Sequence, residues 1–104
     1  MNIRFNNEYL EKVFRSQRLP GKPRFNTEVI LAFKKTILKL RSAGSLKELY
    51  NLKELNLEAL KGDYKGFYSV RVDQKYRLIL SVEAGGTIGI SEILVIEELT
   101  NHYR

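Results

Sequence analysis

The chain contains no cysteine, a single histidine, only two prolines and no long apolar run. Without cysteine, neither a disulfide framework nor a thiolate metal site is available, so the fold must rest on packing alone, which suits a reducing cytoplasm. The first basic residue, Arg4, is not followed by a long apolar segment. We therefore expect neither a signal peptide nor a membrane-spanning segment, and we predict a cytoplasmic protein.

Length, apolar content and charge indicate one small globular domain with a basic surface. The 104 residues, 43% of them hydrophobic, predict a single domain over 1–104 with an ordinary core. The formal net charge of +6 is large for this size. It favours nucleic acid, an anionic membrane surface or an acidic protein as a partner, although a lysine-rich surface can also serve solubility alone.

Short-range patterns in the N-terminal half predict a short strand followed by helices. Residues 3–5 are interpreted as the strand, and Asn7 as the cap of a first helix, which the segment 16–23 would end because it holds both prolines and a glycine. A second, longer helix should begin at Asn26 or Thr27, with five apolar residues on one face. These residues are Val29, Ile30, Phe33, Ile37 and Leu40.

The middle of the chain is less regular. Ser45 and Glu48 have the spacing of a capping box, which predicts a short third helix near residues 46–49. The lysines on the outer faces of the second helix are either a solvated surface or a stripe for nucleic acid. Residues 50–66 show no clear period and are predicted to be a loop with leucine anchors. These anchors are Leu52, Leu55, Leu57 and Leu60.

The C-terminal third alternates between apolar and polar residues, as strands do. The alternation runs over 67–72 and 76–83, with a three-residue turn between them, and the glycine pair 85–86 predicts the next turn. A last strand should open at Ile88, with a bulge near Ser91. This order predicts an α+β fold in which N-terminal helices pack on one face of a C-terminal antiparallel β-sheet.

The register of the predicted hairpin makes two arginines neighbours. If the apolar positions of both strands face the core, the three-residue turn places Arg71 directly opposite Arg77 on the other face. Like charges directly across a sheet are destabilising, typically by a few tenths of a kcal/mol. The repulsion is offset by an acidic side chain from elsewhere or by an external anion such as an RNA phosphate, or the two side chains simply diverge into water.

Candidate acid–base groups are few. His102 is the only histidine and follows the last apolar strand, while Glu58 lies in the irregular segment before the sheet. The sequence has neither a histidine pair nor a carboxylate cluster for a metal, it lacks a phosphate-cradling glycine-rich loop, and Ser69 has no obvious activating base. If the protein is an enzyme, we expect acid–base chemistry on an anionic substrate, with no metal and no cofactor.

One continuous stretch of the sequence carries a family resemblance. Residues 58–72 read Glu-Ala-Leu-Lys-Gly-Asp-Tyr-Lys-Gly-Phe-Tyr-Ser-Val-Arg-Val, and Tyr76-Arg77-Leu78 and His102-Tyr103 follow. This pattern resembles the RelE superfamily of toxins from type II toxin–antitoxin systems, with the YoeB and HigB branches most similar. The likeness covers the C-terminal half well, and the helical half agrees in layout.

The resemblance implies a RelE-like fold and a metal-independent endoribonuclease that cleaves mRNA in the ribosome with the RNA's own 2′-hydroxyl as nucleophile. By this resemblance Glu58 is the general base, Arg77 stabilises charge on the phosphate, His102 is the general acid and Tyr103 orients the scissile nucleotide. By the same resemblance Lys61 and Arg71 are basic positions that line the pocket. We predict RNA binding at these two residues and at Lys65 and Lys75.

The resemblance also implies partners. They are a cognate antitoxin protein, the ribosome and mRNA, with operator DNA contacted only through the antitoxin complex and no role for a membrane. Two other functions remain open. A ParE-like gyrase inhibitor would share the fold without needing Glu58, His102 or Tyr103, and a non-catalytic RNA- or ribosome-binding module would need only the basic surface.

Overall fold

The computed structural model describes residues 1–85 and 92–101, and within these ranges its centre is a five-stranded sheet. The strands are β1 (Asn2–Phe5), β2 (Glu58–Ala59), β3 (Tyr68–Arg71), β4 (Arg77–Glu83) and β5 (Ile93–Thr100). Their order across the sheet is β1-β5-β4-β3-β2. Strands β2 to β5 pair antiparallel, while β1 pairs parallel to β5. The predicted α+β fold is confirmed, and the first strand makes the sheet mixed.

Three helices precede the sheet's C-terminal strands in the described part of the chain: α1 (Glu8–Phe14), α2 (Thr27–Ser42) and α3 (Leu46–Asn51). The caps predicted at Asn7 and Ser45 are confirmed, and the structure adds a cap at Asn26 for α2. The side-chain oxygen of Asn7 accepts from the amide of Leu10 at 3.0 Å, and that of Asn26 accepts from Val29 at 2.9 Å. Each cap satisfies an amide that has no partner within the first helical turn. None of the described helices is both long and apolar enough to cross a membrane.

Helix α2 packs on one face of the sheet, as its apolar spacing predicts. Val29, Phe33, Ile37 and Leu40 are buried, while Ile30 is partly buried against them. The sheet contributes to the same cluster from alternate positions of its three central strands: Val70, Leu78, Leu80, Leu94, Ile96 and Leu99. This single layer of helices leaves the opposite face of the sheet for other uses.

The predicted loop over 50–66 is corrected by the structure. It contains two short 3-10 turns, Lys53–Leu55 and Gly62–Tyr64, and the two-residue edge strand β2. A strand of two residues is too short to show a period, which is why alternation did not indicate it. The predicted leucine anchors hold this segment in place. Leu55 and Leu60 are buried, and Leu52 and Leu57 are partly buried.

A register shift interrupts the pairing of β4 with β5. Ile79 pairs with Glu98 and Leu80 with Ile96, so Glu97 is the extra residue of a bulge. Its carboxylate accepts hydrogen bonds from the side-chain Nδ2 of Asn6 at 2.8 Å and from the hydroxyl of Ser81 at 2.6 Å. The bulge predicted near Ser91, the second glycine of the 85–86 turn and the predicted strand opening at Ile88 lie outside the described residues.

Candidate functional site

The face of the sheet opposite the helices, here called the outer face, collects most of the described polar residues that the sequence singles out. Arg71 pairs directly with Arg77 across β3 and β4, which confirms the predicted register. One step along the strands, Glu58 on β2 pairs with Ser69 on β3. Because side chains alternate along a strand, Ser69 and Arg71 project to the same face, and their partners project there with them.

The guanidinium of Arg77 is held in place on the outer face by neutral acceptors. Its Nε donates to the hydroxyl of Ser69 at 2.9 Å, and its Nη2 donates to the backbone carbonyls of Asn56 at 2.7 Å and Ser69 at 3.3 Å. Its Nη1 makes no hydrogen bond with the described part of the chain. The cation therefore has a fixed orientation and keeps donors for a ligand.

Two residues that position Arg77 were missed at the level of sequence. Ser69 is fully buried, and only its alternation with Arg71 pointed to this face. Asn56 adopts a left-handed conformation with φ of 46°, which asparagine tolerates better than most residues. That conformation lies in an irregular segment, so no periodic signal indicates where its carbonyl will point.

Glu58 lies close to this arrangement on the edge strand. Its side chain is exposed, and its Oε1 accepts from the side-chain amide of Asn56 at 3.4 Å. Asn56 thus contacts Arg77 through its backbone and Glu58 through its side chain. The structure in this way brings the carboxylate and the guanidinium to one face, linked by Asn56 and Ser69, although the residues are distant in sequence.

Neither of the two arginines forms an ion pair with a carboxylate within residues 1–85 and 92–101. The ion pairs of these ranges join other side chains: Arg4 with Glu83, Lys12 with Glu8, Arg15 with Glu11 and Lys39 with Glu54. Neutral acceptors fix Arg77, and Arg71 at the end of β3 is exposed. The positive charge of the pair is thus available to an anion at the surface.

The remaining candidates are distributed unevenly. Lys61 and Lys65 are exposed on the turn between β2 and β3. Lys75 lies in the turn between β3 and β4, where it lines a cavity together with Asn26 at the start of α2. The structure therefore does not bring Lys75 to the outer face. His102 and Tyr103 lie outside the described residues. Within those residues no group of three histidine, aspartate or glutamate side chains could hold a metal ion.

The comparison with structures supports the same architecture. A "YoeB/ParE toxin from Agrobacterium tumefaciens" superimposes with a TM-score of 0.57 at 19% identity, covering 99% of this chain and 100% of that chain. A chain of the "YoeB-YefM complex from Staphylococcus aureus" gives 0.59 at 20% identity, covering 99% and 98%. YafQ from Escherichia coli strain BL21(DE3) gives 0.55 at 14% identity, covering 97% and 92%. At these identities the similarity establishes the fold.

The comparison with protein families is more specific. No curated protein matches the chain. The family model described as "RelE-like toxin of type II toxin-antitoxin system HigB" matches residues 3–90, which include β1 from its second residue, helices α1 to α3 and strands β2 to β4. The chain therefore belongs to the HigB-like family of RelE-like toxins from type II toxin–antitoxin systems.

Proposed function

We propose that the chain is a ribosome-dependent mRNA endonuclease that uses the RNA 2′-hydroxyl as nucleophile. Membership of the RelE-like toxin family supports a ribonuclease activity in general. In the proposed reaction Glu58 takes the 2′-hydroxyl proton while the 2′-oxygen forms a bond to phosphorus. The bond from phosphorus to the 5′-oxygen breaks, and His102 donates a proton to that oxygen. The products are a 2′,3′-cyclic phosphate and a 5′-hydroxyl, and no metal ion enters these steps.

The observation that supports this proposal most strongly is the link between Glu58 and Arg77 on the outer face. A carboxylate that accepts a proton and a guanidinium that stabilises a phosphorane must be adjacent, and both contact Asn56. The fixed guanidinium keeps Nη1 donors for the charge that develops on the phosphoryl oxygens. Arg71 beside it adds positive charge, and Tyr103 is proposed to orient the scissile nucleotide.

The basic residues Lys61, Lys65 and Arg71 are proposed to bind the RNA backbone next to this site. They are exposed, and none forms an ion pair within the described residues. Contacts of this kind fix the position of the RNA without reading its sequence. Lys75 lies away from the outer face, in the turn between β3 and β4. We propose that it contacts the RNA backbone outside the site where the RNA is cut.

We also propose that a cognate antitoxin binds and neutralises the protein; the similar YoeB of Staphylococcus aureus forms a heterotetrameric YoeB–YefM toxin–antitoxin complex. Leu31 and Leu38 lie two turns apart on α2 and are 55% and 47% exposed. The exposed Lys35 lies between them. This combination suits an acidic amphipathic helix, which would bury the leucines and face the lysine.

An in vitro translation reaction with a reporter mRNA tests the nuclease. We expect cleavage in register with codons when ribosomes are present, no cleavage in their absence, and fragments that end in a 2′,3′-cyclic or 3′-phosphate. A 3′-hydroxyl end would mean that water attacked, which contradicts the proposed mechanism. A gyrase inhibitor would leave the mRNA intact and alter DNA supercoiling, and a binding module would associate with ribosomes without cleavage.

A further inference from the structure

The turn that joins β2 to β3 exposes an aromatic ring between two lysines. Tyr64 is 40% exposed, and its ring meets that of Phe67 edge to face, with centroids 6.4 Å apart and planes at 84°. Lys61 and Lys65 flank it on the same turn and are exposed. An exposed ring beside basic side chains is the usual composition of a surface that stacks bases of single-stranded nucleic acid.

The ring pair lies on the outer face, in line with the proposed site. Tyr68 packs against the core on the helical side, so its neighbour Phe67 projects to the opposite face by alternation. The amide of Leu60 donates to the carbonyl of Phe67 at 2.9 Å, which extends the β2–β3 ladder by one step. Leu60 is buried but lies outside the main core cluster, as a residue on the outer face should.

Three successive rows of side chains therefore run along the hairpin on this face. The first row is Arg71 with Arg77, the second is Ser69 with Glu58, and the third is Phe67 with Leu60. Neighbouring rows are separated by two residues of a strand, or about 6.6 Å. The Tyr64–Phe67 pair thus lies next to Glu58, on the side away from Arg77.

This order gives the RNA a direction. In the proposed function the scissile phosphate lies at Arg77, and Glu58 contacts the 2′-hydroxyl of the nucleotide on its 5′ side. Continuing from Arg77 past Glu58 therefore leads toward the 5′ part of the RNA. The next row in that direction is Phe67 with Leu60, and the ring exposed there is that of Tyr64, which packs against Phe67.

We propose that Tyr64 stacks on the base of the nucleotide that carries the attacking 2′-hydroxyl, and that Lys61 and Lys65 contact phosphates on its 5′ side. The ligand is single-stranded RNA, and stacking tolerates any base because every base offers a π face. The assignment rests on the proposed function, but it concerns binding of the substrate and not the bond-breaking step. Removal of the ring should raise KM and leave kcat nearly unchanged.

Cleavage of mRNA on programmed ribosomes by four proteins tests this assignment: the wild type, Tyr64→Ala, Tyr64→Phe and Tyr50→Ala. Loss of the ring should raise KM about 5- to 150-fold, the range typical for one stacked base. Tyr64→Phe keeps the ring and should restore wild-type KM. Tyr50 is a matched control because it is 50% exposed on α3, outside the outer face, so Tyr50→Ala should cleave like the wild type.

A second measurement locates the stacked base. The cleaved mRNA is then given one abasic nucleotide at successive positions. The difference in KM between Tyr64→Ala and the wild type should disappear only when the missing base belongs to the nucleotide on the 5′ side of the cut. If Tyr64→Ala raises KM equally on every mRNA, or does not raise KM at all, the assignment of Tyr64 is wrong. The nuclease proposal would still stand in that case, provided that the wild type cleaves. If the wild type itself does not cleave, the proposed function fails, and the assignment of Tyr64 falls with it.

Discussion

The side chain of Arg77 donates a hydrogen bond from Nε to the hydroxyl of Ser69, 2.9 Å away on the neighbouring strand. Because Ser69 is fully buried, its hydroxyl has little freedom to move, and it fixes the plane of the guanidinium. A cation that is already oriented does not have to reorganise when charge develops on a phosphate. Ser69 is in this sense a positioning residue for the proposed site.

Substitution of Ser69 by alanine tests this role. Ser69→Ala removes the acceptor for Nε, and we expect cleavage to slow by about ten- to a hundredfold, because a hydrogen bond to a charged group contributes about 1.5–3 kcal/mol. Binding to ribosomes should change less. Ser81→Ala is the matched control, since Ser81 lies on the same face but bonds to Glu97 and not to Arg77. Equal rates for the two variants would argue against the positioning role.

The two paired arginines should differ in their effect on cleavage. Arg77→Ala should reduce kcat by about 10²–10³-fold, the usual cost of removing one oriented donor to a transition-state oxyanion. Arg71 is exposed, and its side chain makes no hydrogen bond within the described residues. Arg71→Ala should therefore mainly lower the affinity for RNA and make that affinity less dependent on salt. Kinetics at several salt concentrations separate these effects. Similar losses of kcat in both variants would contradict the assignment.

The pairing of Arg71 with Arg77 shows how far sequence alone can lead. Alternation fixed which face each residue occupies, and the three-residue turn fixed the register, because a shift by one residue would move every apolar side chain to the wrong face. The same logic placed α2, whose five apolar positions recur at helical spacing. These are local patterns, and local patterns can be read without knowing the rest of the fold.

The surroundings of Arg77 could not be predicted in this way. Glu58 belongs to a two-residue strand, and Asn56 presents its carbonyl from a left-handed conformation in an irregular segment. Both positions depend on where the leucine anchors settle against the sheet. The bulge at Glu97 corresponds to a break in the apolar alternation of the sequence, because Ile96 and Leu99 both face the core although they are three residues apart. A strand without a bulge would place them on opposite faces.

Asn7 joins that bulge to the first helix, and its substitution should lower stability. Its Oδ1 caps α1 by accepting from Leu10, and its Nδ2 donates to the carbonyl of Glu97 at 3.2 Å. Loss of a cap alone costs about 1 kcal/mol. Asn7→Ala removes both bonds, so we expect the free energy of unfolding to fall by about 2 kcal/mol once the second bond is included. Urea denaturation measures this change.

Two control variants separate the contributions of Asn7. Asn7→Asp keeps a capping oxygen but removes the donor to Glu97, so its loss of stability should be smaller than that of Asn7→Ala. Asn26→Ala removes only the cap of α2 and should cost about 1 kcal/mol. If Asn7→Ala costs no more than Asn26→Ala, the bond to the bulge contributes nothing measurable.

The proposed general acid is tested by replacing His102 with glutamine. The described core is completed by residues up to Leu99, so His102→Gln should keep the fold, which circular dichroism and thermal unfolding can verify. Cleavage should nevertheless slow by about two to four orders of magnitude, the usual contribution of an acid or base. Wild-type rates in this variant would remove His102 from the mechanism.

A substrate with sulfur in place of the scissile 5′-oxygen separates the acid from the base. A thiol has a pKa of about 8.5 and leaves as a thiolate without needing a proton, so the acid becomes unnecessary. His102→Gln should therefore cleave this RNA at a rate close to that of the wild type. Glu58→Gln should stay slow on it, because the 2′-hydroxyl proton must still be removed before the oxygen attacks phosphorus. If sulfur restores both variants or neither, the assignment of Glu58 as base and His102 as acid is wrong, even if both residues are needed for activity.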